Sequence, residues 1–370
     1  MVGTGVFAVW QPALQRAGAW LVLAVVIAGA VAALNATSTA RLAARYPQAG
    51  GVYAYGCVKL GRPAGVLAGS VFIIGKTASA SAAALTIGLY LWPERSTAVG
   101  IFAIAALLAL NLRGVVRSTR IAGVMVTLVI ITLIVFAGFA FVNIDKADAS
   151  SASVLIVDAD AQGLLAASAL VFVAFAGYAR ITVLGEEVRN PIRVIPRAVA
   201  ISFAIVLALY LLIAFVVLSA VRGGVVIGPA ALTDIATSVV PEWLPITVTV
   251  AAVLAAGAVL LSLIAGVGRT VFAMADAGDA PGFFVAVGRT VKVPYRAEIA
   301  AALGAAVLVA FGGLTLALGI SAAMILTYYA ISHVAAMRLE RGRGLGGLML
   351  LTTPYLGLAG CVILVGALVW

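Results

Sequence analysis

Two glycine-bearing stretches and a few charges inside apolar sequence are the residues of this chain best suited to chemistry. Gly3-Thr4-Gly5 leads into Val6-Phe7, and Phe175-Ala176-Gly177-Tyr178 interrupts a second apolar run. Glycine lets amides and carbonyls leave the helical ladder, and the freed half-helix ends carry opposite partial charges. Helix N-termini suit a carboxylate and C-terminal carbonyls suit an ammonium, so paired breaks suit a zwitterion. The rings of Phe175 and Tyr178 add surfaces for cation–π contact. Either stretch alone reads equally as close helix packing.

The embedded charges need a reason, because an ionisable group at bilayer depth costs about 3 kcal/mol on insertion scales. Lys76 lies within Ile73-Ile74-Gly75-Lys76-Thr77-Ala78-Ser79. It reads as a fixed positive charge that titrates or replaces a bound cation, or as a structural lysine on the carbonyls of a broken helix. Arg180 follows Gly177 by three residues, and Glu187 lies two helical turns further on the same face, whereas Glu186 does not. Arg180, Glu186 and Glu187 read as gating residues with Arg193 or Arg197 as partners, or as a solvated membrane edge. His333 is the single histidine and Cys57 and Cys361 are the two cysteines, so zinc ligation and a disulfide framework are excluded. With no carboxylate dyad at depth, an enzyme is excluded as well. No cofactor is expected.

The elements that must position these groups follow from composition. Of 370 residues 64% are hydrophobic and 10% charged, where a soluble domain carries about 25% charged residues. With a mean hydropathy of +1.22, this excludes a soluble globule and a disordered chain. A bilayer core needs about 20 apolar residues per helix. Ten candidate spans fall near 19–42, 64–92, 97–112, 120–142, 163–183, 198–221, 245–268, 297–312, 314–337 and 348–369, after an apolar stub at 5–14. Gly312-Gly313 reads as a tight hairpin. Seventeen of the 23 basic residues fall in one set of alternate loops, four in the other, and Lys76 and Arg180 inside spans. The richer side is cytoplasmic by the positive-inside rule, and the net charge of +10 therefore does not imply nucleic acid.

If the stub is helix one, the second glycine break falls in helix six. Breaks in helices one and six match two inverted five-helix repeats. The stretch from Phe175 to Ala198, with Gly185-Glu186-Glu187-Val188-Arg189-Asn190-Pro191, resembles the sixth-helix signature of amino acid permeases of the amino acid–polyamine–organocation (APC) superfamily, closest to the cationic amino acid transporter branch. Gly3-Thr4-Gly5-Val6-Phe7, Tyr46-Pro47 through Tyr53, Gly268-Arg269-Thr270, Met274-Ala275-Asp276, Val293-Pro294-Tyr295-Arg296-Ala297 and Tyr328-Tyr329-Ala330 match in the family's order.

The resemblance implies an all-α polytopic membrane protein with the inverted five-plus-five fold and broken first and sixth helices, shortened at its N-terminus relative to the family. Residues 1–142 would form the first repeat, 163–337 the second, and 348–370 an additional helix. It implies secondary amino acid transport across the cell's inner (plasma) membrane by alternating access, coupled to a proton or a counter-substrate. The alternatives are a polyamine or organic cation carrier and a shortened relative that does not transport. Gly3, Thr4, Gly5, Phe175, Ala176, Gly177 and Tyr178 would bind substrate. Lys76, Arg180, Glu186, Glu187 and Ser262 are the coupling or gating candidates. Some members of the cationic branch carry a helix-five lysine where others bind sodium. The matching residue here is Val129, so that role does not carry over. No mid-depth carboxylate is expected to neutralise a second positive charge on a substrate.

Overall fold

The computed structural model describes residues 2–45, 51–114, 119–143, 160–178, 191–239, 241–288, 293–338 and 345–369. Every regular element among them is helical, as lipid requires when backbone groups must be satisfied within their own segment. In chain order the helices are α1 (Gly5–Ala8), α2 (Trp10–Ala17), α3 (Leu21–Arg45), α4 (Val52–Leu60), α5 (Arg62–Leu91), α6 (Ser96–Leu112) and α7 (Thr119–Asn143). Then follow α8 (Ala161–Phe175), α9 (Pro191–Arg222), α10 (Ala231–Val239), α11 (Trp243–Asp276), α12 (Tyr295–Phe311), α13 (Gly313–Met337) and α14 (Leu345–Val369).

Eight helical stretches among the described residues are long and apolar enough to cross a bilayer, against ten expected. The two that fall short are α8, with 15 residues, and α12, with 17. α8 stops at Phe175, where the chain tightens into a 3-10 turn over Ala176–Tyr178. α12 is clipped by the glycine hairpin, in which Gly313 adopts φ +69° and α13 begins at once. The stub is two short helices: α2 turns at Gly18, with φ +50°, and leads through a 3-10 turn into α3.

Packing divides the helices around two hubs. α5 lies against α4, α6, α11, α12 and α13, whereas α3 lies against α8, α9, α13 and α14, so that α13 touches both. Small residues permit the closest approaches; Gly75 of α5, for example, meets Met324 and Ile325 of α13.

The two ends of the bundle agree with the alternation of charge. Arg62 pairs with Asp279 at 2.6 Å, and Arg338 donates to the Lys59 carbonyl at 2.8 Å. All four residues belong to loops that the sequence assigns to one face. At the opposite end Arg16, Asp160 and Gln162 line a groove of about 360 Å³ beside Ala367, Leu368 and Val369.

Candidate substrate site

Gly3 and Thr4 precede the first helical turn, and α1 begins at Gly5. A second interruption follows at Val9, because Pro12 has no N–H to offer the Ala8 carbonyl. The Thr4 carbonyl accepts from the amides of Phe7 (2.9 Å) and Ala8 (3.2 Å). The amides of Gly5 and Val6 lie ahead of this first acceptor, as the opening amides of any helix do. The Thr4 hydroxyl is buried and has no hydrogen-bond partner among the described residues.

Gly5 brings this break to the other one. A side chain there would overlap the Cα and Cβ of Ala174, one residue before α8 ends. Gly3 in turn abuts Val259 of α11, which supplies a third wall. The two glycine-bearing stretches, 170 residues apart in the chain, are therefore neighbours in space.

Tyrosines from two other helices hold the carbonyls on either side. The Tyr90 hydroxyl of α5 donates to the Phe7 carbonyl at 3.0 Å, and that of Tyr210 in α9 donates to the Ala174 carbonyl at 3.0 Å. Tyr90 meets a ring of the first stretch, and Tyr210 meets rings of both. Phe7 and Tyr90 stand edge to face at 5.8 Å, and Trp10 and Phe175 each meet Tyr210, at 6.4 Å and 4.9 Å. Trp10 donates its indole N–H to the Val6 carbonyl at 2.5 Å.

The family described as amino acid permease matches residues 1–347. The chain belongs to the amino acid permease family of the APC superfamily. An uncharacterized transporter of Mycobacterium tuberculosis (strain ATCC 25618 / H37Rv) is 41% identical over 377 residues, covering 100% of this chain and 83% of the relative. Cationic amino acid transporter 2, vacuolar, of Arabidopsis thaliana is 26% identical over 84% of this chain and 53% of its own length. Branched-chain amino acid permease BcaP of Bacillus subtilis is 26% identical over 80% of this chain and 68% of its own.

In this permease the candidate residues divide clearly. Gly3, Thr4, Gly5 and Ala176 gather near the junction of α1 with the end of α8, and the backbone of Gly177 and Tyr178 continues from it. The Phe175 ring is buried among Gly29, Phe203 and Tyr210, so it faces α3 and α9. Ser262 is half-buried on α11, one turn beyond Val259. Lys76 is half-buried on α5 with its ammonium 5.9 Å from the Phe72 ring centroid, and Phe72 packs on Tyr328 of α13. Val129 is buried on α7. Arg180, Glu186 and Glu187 lie outside the described residues.

Three features escaped the sequence reading. Glu298 of α12 is fully buried against Gly268 of α11, four residues after Pro294. Its place beside Arg296 in the sequence reads as a membrane edge, and only the small residue at Gly268 hints at the burial. His333 Nε2 meets Asn35 Oδ1 at 2.6 Å, and the Cys361 thiol donates to the same oxygen at 3.4 Å. The short helices α4 and α10 lie outside the spans and, with nine residues each, are too short to register as membrane crossings. In α10, burial raises the Asp234 carboxyl above the ordinary range, although the Gly228 amide at 2.6 Å opposes the shift.

Proposed function

We propose that this permease carries small neutral amino acids by alternating access, binding them on the unwound main chain where the two breaks meet. The contact between Gly5 and Ala174 carries this reading, because it brings freed amides and the end of a helix to one place. The substrate carboxylate would meet the amides near Gly3–Gly5 and the Thr4 hydroxyl. Its ammonium would meet carbonyls beside the end of α8, and Val259 would bound the substrate side chain.

Charge supports neutral substrates. The described acidic residues are Glu94, Asp160, Asp234, Glu242, Asp276, Asp279 and Glu298, and none is among the atoms closest to Gly3 or Gly5, although α10, which carries Asp234, packs on α1. Lys76, meanwhile, places a cation within α5. A second positive charge on the substrate would meet no carboxylate among the described residues closest to Gly3 and Gly5. In this reading 1–142 and 163–337 are the inverted repeats, 348–370 is an additional helix, and the protein works in the cell's inner membrane. A proton or a counter-substrate would drive the cycle, with Lys76 and Ser262 as the coupling candidates.

Uptake into proteoliposomes, with neutral amino acids, lysine and a polyamine compared with and without a pH gradient, tests this. Saturable uptake of neutral amino acids is expected. Uptake of lysine or polyamine alone would replace the reading with a cation carrier, and no uptake of any of them would remove it. Flux that ignores the gradient and rises with internal substrate identifies exchange.

A further inference from the structure

At the basic end of the bundle, α4 is tied to three other helices. Its Tyr53 hydroxyl donates to Asp279 Oδ2 at 2.7 Å, while Arg62 Nε, at the start of α5, donates to Asp279 Oδ1 at 2.6 Å. Arg62 Nη2 reaches the Gly278 carbonyl at 3.2 Å as well. Asp279 is set in place by the way α11 ends. Gly278 adopts φ +76°, its amide bonds the Ala275 carbonyl, and the Asp279 amide bonds the Met274 carbonyl at 2.7 Å. This pair of bonds closes a helix C-terminus and fixes the direction of the residue after the glycine. The carboxylate is 6% exposed, whereas Arg62 is 65% exposed.

The opposite side of α4 is tied to α13. The Val52 amide donates to the Tyr328 hydroxyl at 3.2 Å, and Arg338 caps the Lys59 carbonyl. Beneath α4, Gly56 and Gly65 bring the backbones of α4 and α5 together, and a side chain at Gly65 would overlap the Cys57 sulfur. Cys57 is half-buried and its thiol is pushed up, first by burial and then by the Asp279 charge.

The chain path gives these ties a role. α4 joins α3, which packs with α8 and α9, to α5, which packs with α11 and α12, while α13 packs on α3, α4, α5 and α8 alike. Relative movement of the two groups would strain this link together with the contacts of α13. We infer that Asp279 is a positioning residue that latches α4 to the end of α11, and that release of Tyr53 and Arg62 accompanies opening of this face. The inference rests on the transport reading for its purpose, but the latch itself is measurable without transport.

The test is the rate of Cys57 alkylation by N-ethylmaleimide in the purified full chain, with the modified residue located by peptide mass spectrometry. Asp279→Asn should speed alkylation about tenfold, the effect of losing one charge-assisted hydrogen bond, and Asp279→Glu should restore protection. Rates are compared per thiolate, so that removal of the Asp279 charge from beside the thiol is discounted. Tyr53→Phe should give a smaller increase. A substrate that closes this face should slow alkylation in the wild type and have little effect in Asp279→Asn. In proteoliposomes the turnover number should change more than KM. An unchanged Cys57 rate in Asp279→Asn overturns the latch. A lowered melting temperature with unchanged alkylation of the folded protein also overturns it, in favour of a merely structural tie. Faster alkylation in Asp279→Asn together with no uptake by the wild type would keep the latch and sink the transport reading.

Discussion

The start of α1 and the end of α8 meet in space but are built differently. At the first, Gly3 and Thr4 stand ahead of α1, and a buried hydroxyl at Thr4 has no partner among the described residues. At the second, α8 ends on Phe175, whose ring is buried, and the polar groups described at its end are main chain. The shared feature is a tyrosine on a carbonyl, Tyr90 for Phe7 and Tyr210 for Ala174. The difference suggests a division of labour: the first break supplies hydrogen-bonding capacity, and the second supplies shape and a held carbonyl.

Joining the breaks too tightly should have the largest effect. Gly5→Val places a branched side chain on the α8 backbone. Overpacking of that kind costs about 1–3 kcal/mol, and uptake should fall below detection while the protein still folds. Wild-type uptake in Gly5→Val would show that the contact is incidental. Next come the tyrosines. Tyr210→Phe or Tyr90→Phe leaves a buried carbonyl without its donor, at about 1–3 kcal/mol each by denaturation. The two losses should add within about 0.5 kcal/mol, because each hydroxyl bonds a different carbonyl and the substitutions leave both rings in place. Strong non-additivity would show that the breaks act as one unit.

Thr4→Val sharpens the asymmetry. Losing one hydrogen bond to a carboxylate should raise KM about tenfold. Stability should stay unchanged, because the hydroxyl bonds nothing among the described residues. Thr4→Ser should restore KM, and an unaltered KM in Thr4→Val would move the binding polarity elsewhere. The smallest effect concerns pH. The Tyr53 hydrogen bond, followed by Arg62, holds the Asp279 carboxyl below its ordinary value. A carboxyl lowered on folding stabilises fully above the ordinary range and loses that contribution as pH falls through the lowered value. Cys57 protection should therefore stay flat from neutrality to about pH 5 and weaken only in stronger acid. A loss of protection between about pH 6 and pH 7 would point to a different titrating group.

Much of this fold could be read from the sequence, because hydropathy and basic loops report on lipid directly. The spans near 64–92 and 314–337 match α5 and α13 closely, and the Gly312-Gly313 turn lies where the glycines lie. The glycine stretches were legible as places where backbone leaves a helix, and they fall at the start of α1 and just past the end of α8. Their contact was not, since nothing in either stretch encodes which glycine faces Ala174. Glu298 was hidden for a similar reason: burial of an acid near a helix start depends on the facing residue, here Gly268. α4 was missed because it lies outside the membrane pattern, and its ties to Asp279, Tyr328 and Arg338 join residues more than 200 positions apart.

The most direct measurement is an experimental structure of the permease with a neutral amino acid bound. The account predicts ligand density between residues 3–5 and 174–177, with its carboxylate about 3 Å from main-chain amides near Gly5. Density held only by ionised side chains away from both breaks, or helices running unbroken through both glycine stretches, would contradict it.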